Sequence, residues 1–301
     1  MNFSTESLLA AQEQAPARRL RVAWNIGLVA AGGLLFALAF ARMPSLAVGG
    51  AWRFLAIGLM AFVAEYVDSS LGMGYGTTLT PLLMILGFSP LQIVPAVLMS
   101  EFFTGISAGL MHHGFGNVDL RRGTRAFTTT WILSLCSVVG ALLAVVLAVN
   151  LPKQAVKLYI GVMVLAVGLF IVIAGKGIGR FSWGKIIGLG TVAAFNKGIS
   201  GGGYGPLLTG GQVLAGVPGK NAIGITSLAE GVVCLVGLIA YFTLRQSLDW
   251  GLAVPLVVGA MASVPAATWT VKVLPESILR RSIGYATTYL GILSLVSSLK
   301  T

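Results

Sequence analysis

Charge is what this chain of 301 residues has least of. Charged residues make up 10% of it, whereas a soluble domain carries roughly 25% to keep its folded surface wetted. Nine acidic residues, two histidines and two cysteines leave little material for hydrolytic or metal chemistry. There is no HExxH pattern, and His112 and His113 stand side by side, so an intramembrane metalloenzyme is poorly supported. Cys136 and Cys234 lie inside apolar runs without a ligand spacing and read as buried packing thiols. No GxxxxGK[ST] loop occurs, so any use of ATP would need another subunit. No catalytic residue, cofactor or metal is expected.

Apolar residues fill the space that charge leaves. They make up 56% of the chain, and the mean hydropathy is +0.90. Several runs reach or approach the roughly 20 residues that cross a bilayer. Soluble enzymes, nucleic-acid-binding modules and disordered proteins are thereby excluded, and the chain reads as an integral membrane protein. Its net charge of +11 sits mostly in short loops, which orients a polytopic protein and does not indicate nucleic acid. The expected partners are the lipid bilayer and a small solute, with a homodimer left open.

Residues 1–21 are polar, end in Arg18, Arg19 and Arg21, and precede an apolar run over 22–41. Ala39-Phe40-Ala41 resembles a signal-peptidase site, but the polar lead is long and the run is bilayer-sized. We expect a cytoplasmic tail and a retained extra transmembrane helix. Later runs include four that are short, 52–67, 78–88, 184–199 and 206–216. At 1.5 Å per residue these are too short to cross upright, and each pair flanks a glycine-rich break. They predict broken or re-entrant helices.

The sequence repeats itself. Shifted by 129 positions, Gly72-Met73-Gly74-Tyr75-Gly76 falls on Gly201-Gly202-Gly203-Tyr204-Gly205, Thr80 on Thr209, and Glu101 on Glu230. Eleven of the 45 positions from 57 to 101 are identical without a gap, and an aligned glycine block plus an aligned membrane glutamate is not what apolar composition yields by chance. We therefore expect a first membrane repeat over 52–174 and a second over 183–298. If the N-terminus is cytoplasmic and each short pair re-enters, twelve basic residues fall inside and six outside, in keeping with the positive-inside rule. That layout makes the repeats inverted. The fold class is an all-α polytopic bundle of two inverted repeats, each with a glycine-broken hairpin, in the cell inner or plasma membrane.

Inverted repeats with matching broken helices are the physical signature of a secondary transporter. Each break exposes amides at a half-helix N-terminus, where the dipole favours an anion. The stretch Phe195-Asn196-Lys197-Gly198-Ile199-Ser200-Gly201-Gly202-Gly203-Tyr204-Gly205-Pro206 resembles the second glycine motif of the sulfite exporter TauE/SafE family of anion permeases. Asp68-Ser69-Ser70-Leu71-Gly72-Met73-Gly74-Tyr75-Gly76, followed by Pro81, resembles the first, with Met73 where glycine is commoner. The resemblance covers about residues 52–298 and implies transport of a small sulfur-containing or organic anion such as sulfite, a sulfonate or sulfoacetate.

The candidate substrate site is therefore Gly72, Gly74, Tyr75, Gly76, Asn196, Lys197, Ser200, Gly201, Gly203, Tyr204 and Gly205. Their amides are expected to face one another across a cavity near mid-membrane. Lys197, aligned with Asp68, would attract the anion, or else pair with Asp68 or Glu65 to hold the halves together. Glu101 and Glu230 lie about 15 Å into their helices. With Glu65 and Asp68 they are candidate proton carriers, since charge inside the membrane is costly. His112 and His113 read as interfacial residues at a helix C-terminus. The alternative from another class is an anion channel with a re-entrant filter, and a non-transporting anion sensor is a further one.

Overall fold

The computed structural model describes residues 51–173, 182–215, 217–245, 248–271, 285, 288–293 and 295–296. The expected tail at 1–21 and extra helix at 22–41 lie outside them. The described residues are mostly helical, with no strand among them. Nine helices are delimited among them: α1 (Ala51–Leu71), α2 (Tyr75–Ile85), α3 (Pro90–Gly114), α4 (Arg125–Asn150), α5 (Lys153–Ile173), α6 (Trp183–Ser200), α7 (Tyr204–Leu214), α8 (Gly219–Arg245) and α9 (Trp250–Thr270). Residues 288–293 and 295–296 are helical as well.

Local chemistry sets several of the starts. Thr124 accepts the Phe127 N–H at 3.1 Å at the head of α4, and Asp249 accepts that of Leu252 at 3.2 Å at the head of α9. At the head of α3, Pro90 follows Ser89, whose N–H donates to the Gln92 side chain at 3.0 Å. These are N-caps of the ordinary kind, satisfying donors a helix start leaves open.

The outer face of the bundle is apolar, and its interior mixes an apolar core with buried polar side chains. On α4, Trp131, Leu135, Val139 and Leu143 are each more than half exposed, while Thr130, Ser134 and Ser137 are buried. A four-residue stripe of exposed apolar side chains opposite buried hydroxyls is the pattern of a helix facing lipid. Five of the described helices, α1, α3, α4, α8 and α9, are long and apolar enough to cross a membrane.

The two halves match element for element, for α2 begins at Tyr75 and α7 at Tyr204, the aligned positions. Their packing matches too. α1 lies along α9, as α6 lies along α4. α3 meets α9 as α8 meets α4, and α3 crosses α8 directly. In that crossing Leu98 packs on Gly237, Gly105 on Gly231, Gly109 on Leu228 and His112 on Gly224, so the two helices run antiparallel. α5 and residues 288–295 do the same, with Gly161 on Leu295, Leu165 on Gly291 and Gly168 on Thr288. Matching helices that run in opposite directions are related by an axis perpendicular to them, which for spanning helices lies in the membrane plane. The repeats are inverted.

One expectation is corrected. The run at 52–67 was expected to be too short to cross, but it belongs to a helix of 21 residues that is long and apolar enough to do so, whereas the run at 184–199 lies in a helix of 18 residues that is not among those five. The first of these helices continues past the end of its apolar run at Asp68, because that polar side chain finds a partner inside the protein in the Tyr75 N–H. Among the described helices, only α2 and α7, 11 residues each, are half-length.

Candidate functional site

The glycines of the two breaks have positive φ at matching positions in both repeats. Gly72 and Gly201 have φ of 67° and 74°, and Gly74 and Gly203 have 136° and 81°. Side chains rarely adopt this left-handed region, which explains glycine at all four positions. At Gly76 and Gly205 the reason is proximity. A Cβ on Gly76 would lie 2.6 Å from the Gly201 carbonyl carbon, and one on Gly205 would lie 2.7 Å from Met73 Cα. Met73 is accommodated, 3% exposed, where its counterpart Gly202 is pressed against the Thr77 amide.

The breaks are thus in backbone contact. They do not face one another across a cavity as the sequence led us to expect. The contact is stitched by Thr209 of α7, whose hydroxyl donates to the Gly72 carbonyl at 2.7 Å. Thr80, the matching residue of α2, is buried near Gly201, but its hydroxyl has no hydrogen-bond partner.

Several amides at the breaks are already bonded. The Gly72 N–H donates to the Asp68 carbonyl at 2.6 Å, the Gly201 N–H to the Lys197 carbonyl at 2.8 Å, and the Gly202 N–H to Ser200 Oγ at 3.1 Å. The start of α2 carries an anion from its own chain: Asp68 Oδ1 accepts the Tyr75 N–H at 3.2 Å. The start of α7 has no such cap. The aligned residue there is Lys197, Gly203 makes no side-chain cap, and no acidic residue lies in the first turn. Asn196 and Ser200 lie beside this second break. Asn196 Oδ1 accepts a short hydrogen bond from Tyr159, and Ser200 Oγ donates to the Asn196 carbonyl at 2.6 Å. Tyr75 and Tyr204 are fully buried, and their hydroxyls meet Ser100 and Ser137 at 2.7 and 3.3 Å.

Lys197 is 1% exposed. Its ammonium donates to Glu230 Oε1 at 2.7 Å and forms an even closer ion pair with Glu101. The pairing we expected, with Asp68 or Glu65, is replaced by one that the antiparallel crossing of α3 and α8 creates. Glu101 and Glu230 occupy the same place in the two repeats and meet where those helices cross. Four carboxylates, Glu65, Asp68, Glu101 and Glu230, line one narrow crevice there. Ser69 Oγ donates to Glu65 Oε1 at 2.6 Å, while Glu65 Oε2 and Glu101 Oε1 have no hydrogen-bond partner. Asp68, Glu101 and Glu230 each bring an oxygen within 4.8 Å of the others, close enough to hold a cation. The Lys197 ammonium already lies against two of the three carboxylates and supplies that positive charge.

His112 is also corrected: it is buried, not interfacial. Its Nε2–H donates to the Ser69 carbonyl at 3.0 Å, and Nδ1 accepts from Asn117, which also donates to the Thr268 carbonyl. The counterpart of His112 is Tyr241, and Tyr241 donates at 3.2 Å to the carbonyl of Gly198, the counterpart of Ser69. Two unlike rings therefore hold matching carbonyls. That correspondence, like the Tyr159–Asn196 bond, had no signal in residue identity. Only the 129-residue offset applied to every polar position would have shown it.

Inverted repeats, helices broken by glycine at matching places, and ionisable side chains buried where the breaks meet together place the chain among membrane transporters. The comparisons make this specific. The chain belongs to the sulfite exporter TauE/SafE family, whose model matches residues 56–294. It is similar to the "Probable membrane transporter protein YtnM" of Bacillus subtilis (strain 168), with 26% identity over 247 residues that cover 77% of this chain and 79% of that protein. No solved structure matches it.

Proposed function

We propose that the chain is a secondary transporter of a small anion of the sulfur-containing or organic class (sulfite, a sulfonate, sulfoacetate), working by alternating access and coupled to protons. One observation supports this most: two glycine breaks touch at the junction of inverted repeats, beside a lysine and four carboxylates buried together. The start of α7 is the anion end. Asp68 already caps α2, whereas Gly203, Tyr204 and Gly205 open α7 without an acid, with Asn196, Ser200 and Gly201 adjoining. Gly72, Gly74, Tyr75 and Gly76 form the opposite wall and must part from it for an ion to pass. Lys197 supplies the positive charge, and Glu101 and Glu230, with Glu65 and Asp68 beside them, carry the protons. The loop charges orient the N-terminus to the cytoplasm.

Purified protein in liposomes tests this. Flux of sulfite, sulfoacetate, an alkanesulfonate and acetate is measured with and without a pH gradient. Saturable flux of a sulfur-containing or organic anion, accelerated by the gradient, is expected. Unitary currents would replace the carrier with a channel, and absence of flux for the whole panel would overturn the reading.

A further inference from the structure

We propose that Glu65 is the residue at which the coupling site takes on its proton, and that the crevice between α1, α3 and α8 serves it from one side of the membrane only. The inference rests on the transport reading above and adds to it the proton's first seat and its route.

Bonding within the crevice carries the inference. Lys197 brings one ammonium to four buried carboxylates, and that ammonium is engaged by Glu101 and Glu230. Asp68 has the Tyr75 N–H at the start of α2. Glu65, 1% exposed, has neither. Ser69 donates to its Oε1 at 2.6 Å, and its Oε2 lines the crevice unbonded. The Thr104 hydroxyl faces Glu65 without making a hydrogen bond to Oε2. The charged groups that face it, Asp68 and Glu101, are both acids. A buried carboxylate in that company does not persist as an anion without a counter-ion. The crevice has acceptors to spare and lacks a donor, which a proton on Glu65 provides.

A metal ion would not meet this need. The oxygens close enough to share a cation come from Asp68, Glu101 and Glu230, and Glu65 is not among them. The Lys197 ammonium already lies against two of those three. From Glu65, the other unbonded glutamate oxygen in the crevice is Glu101 Oε1. A proton seated first on Glu65 therefore passes to a glutamate that holds Lys197.

The duplication shows the crevice to be a feature of one half only. Glu65, Ser69 and Thr104 match Ala194, Gly198 and Val233, and Ser227 matches Leu98. Every polar side chain of that set thus has an apolar or absent counterpart. The matching place is packed shut, with Leu98 on Gly237 and Ala144 on Gly198. The scaffold therefore does not need polar residues at these positions to fold. On α3, Ala108 lies seven residues past Glu101, and on α8, Ser227 lies three before Glu230. Both line the crevice, so it leads from the glutamates towards the end of α3 and the start of α8. The loop at that end carries Arg121 and Arg122, which makes it the cytoplasmic end by the charge rule.

The other titratable groups have settled places. Asp68 on α1, Glu101 on α3, Glu230 and Cys234 on α8 and Lys197 on α6 form the cluster itself. The Tyr66 hydroxyl donates to Thr270 Oγ1 at 3.0 Å, and the Tyr75 hydroxyl meets Ser100. His112, one turn beyond Ala108, is bonded through both ring nitrogens. The helix α9, packed along α1, carries no titratable side chain.

The test uses purified full-length protein, by infrared spectroscopy and, in liposomes, by sulfoacetate flux with and without a pH gradient. At neutral pH the wild type should show the carbonyl band of a protonated carboxylic acid. Glu65→Gln should lose that band together with acceleration by the gradient, and Glu65→Asp should keep part of both. Should Glu65→Gln carry nothing at all, the band decides alone. Thr104→Val with Ser227→Leu copies the opposite half into the crevice and should slow gradient-driven flux. Val233→Thr, on the closed side, should leave that flux as in the wild type. A band that persists in Glu65→Gln, or gradient acceleration that survives there, overturns the proton seat and leaves transport standing. Wild-type flux in the Thr104–Ser227 variant overturns the one-sided route. If the wild type carries none of the anions, the transport reading falls, and the band by itself then decides whether Glu65 holds a proton.

Discussion

Positions 68 and 197 hold the same place in the two repeats and carry opposite charges. Asp68 caps the half-helix of its own repeat, while Lys197 turns from its half-helix to two glutamates at the junction. The surrounding backbone is alike in both, with left-handed glycines at matching positions and a carbonyl held by a ring at each. The lesson is that the duplicated scaffold is kept and the chemistry is divided. One break is closed by an internal carboxylate, and the other is left without one beside a cation.

The largest effect should come from Lys197→Met. It leaves Glu101 and Glu230 buried without their counter-ion, and breaking such a pair costs about 3–5 kcal/mol. Thermal unfolding in detergent should show a collapse that is reversed when both glutamates are also made glutamine. A smaller loss, about 1–3 kcal/mol, is expected for Gly76→Ala, because the new methyl has only the Gly201–Gly202 backbone to meet. Gly188→Ala, which meets nothing within 4 Å, should stay within about 0.5 kcal/mol of wild type.

Asp68→Ala removes the cap of α2 and should cost about 1 kcal/mol, less than the change at its counterpart because Asp68 gives up one bond where Lys197 gives up two. Tyr241→Phe, which deletes the bond to the Gly198 carbonyl, should cost a similar amount or less, about 0.5–1.5 kcal/mol. If the Asp68 and Lys197 variants instead lose equal stability, the division of labour between the breaks is wrong.

Much of this was legible in the residues. Gly72–Gly76 and Gly201–Gly205 announced the breaks, since only a required backbone conformation or close approach explains glycine so placed. Glu101 and Glu230 stood out because ionisable groups in apolar runs are costly. The full length of α1 was hidden. Asp68 looks like the end of an apolar run until the Tyr75 N–H is seen to bond it. The partner of Lys197 was hidden for a different reason. It depends on the antiparallel crossing of α3 and α8 at Gly105 and Gly231, a tertiary fact with no local trace. The burial of His112 likewise depends on Asn117 returning from the following turn.

The most direct measurement exchanges the two unlike residues. Lys197→Asp alone puts a fifth carboxylate into the crevice and should fold poorly. Adding Asp68→Lys restores one cation and one carboxylate at symmetric positions, and should recover most of the thermal stability. A lysine at the neighbouring position, Ser69→Lys, brings the same charge without the symmetry and should recover much less. Equal recovery by both would mean that only the charge count matters, and that the inverted pairing of positions 68 and 197 does not.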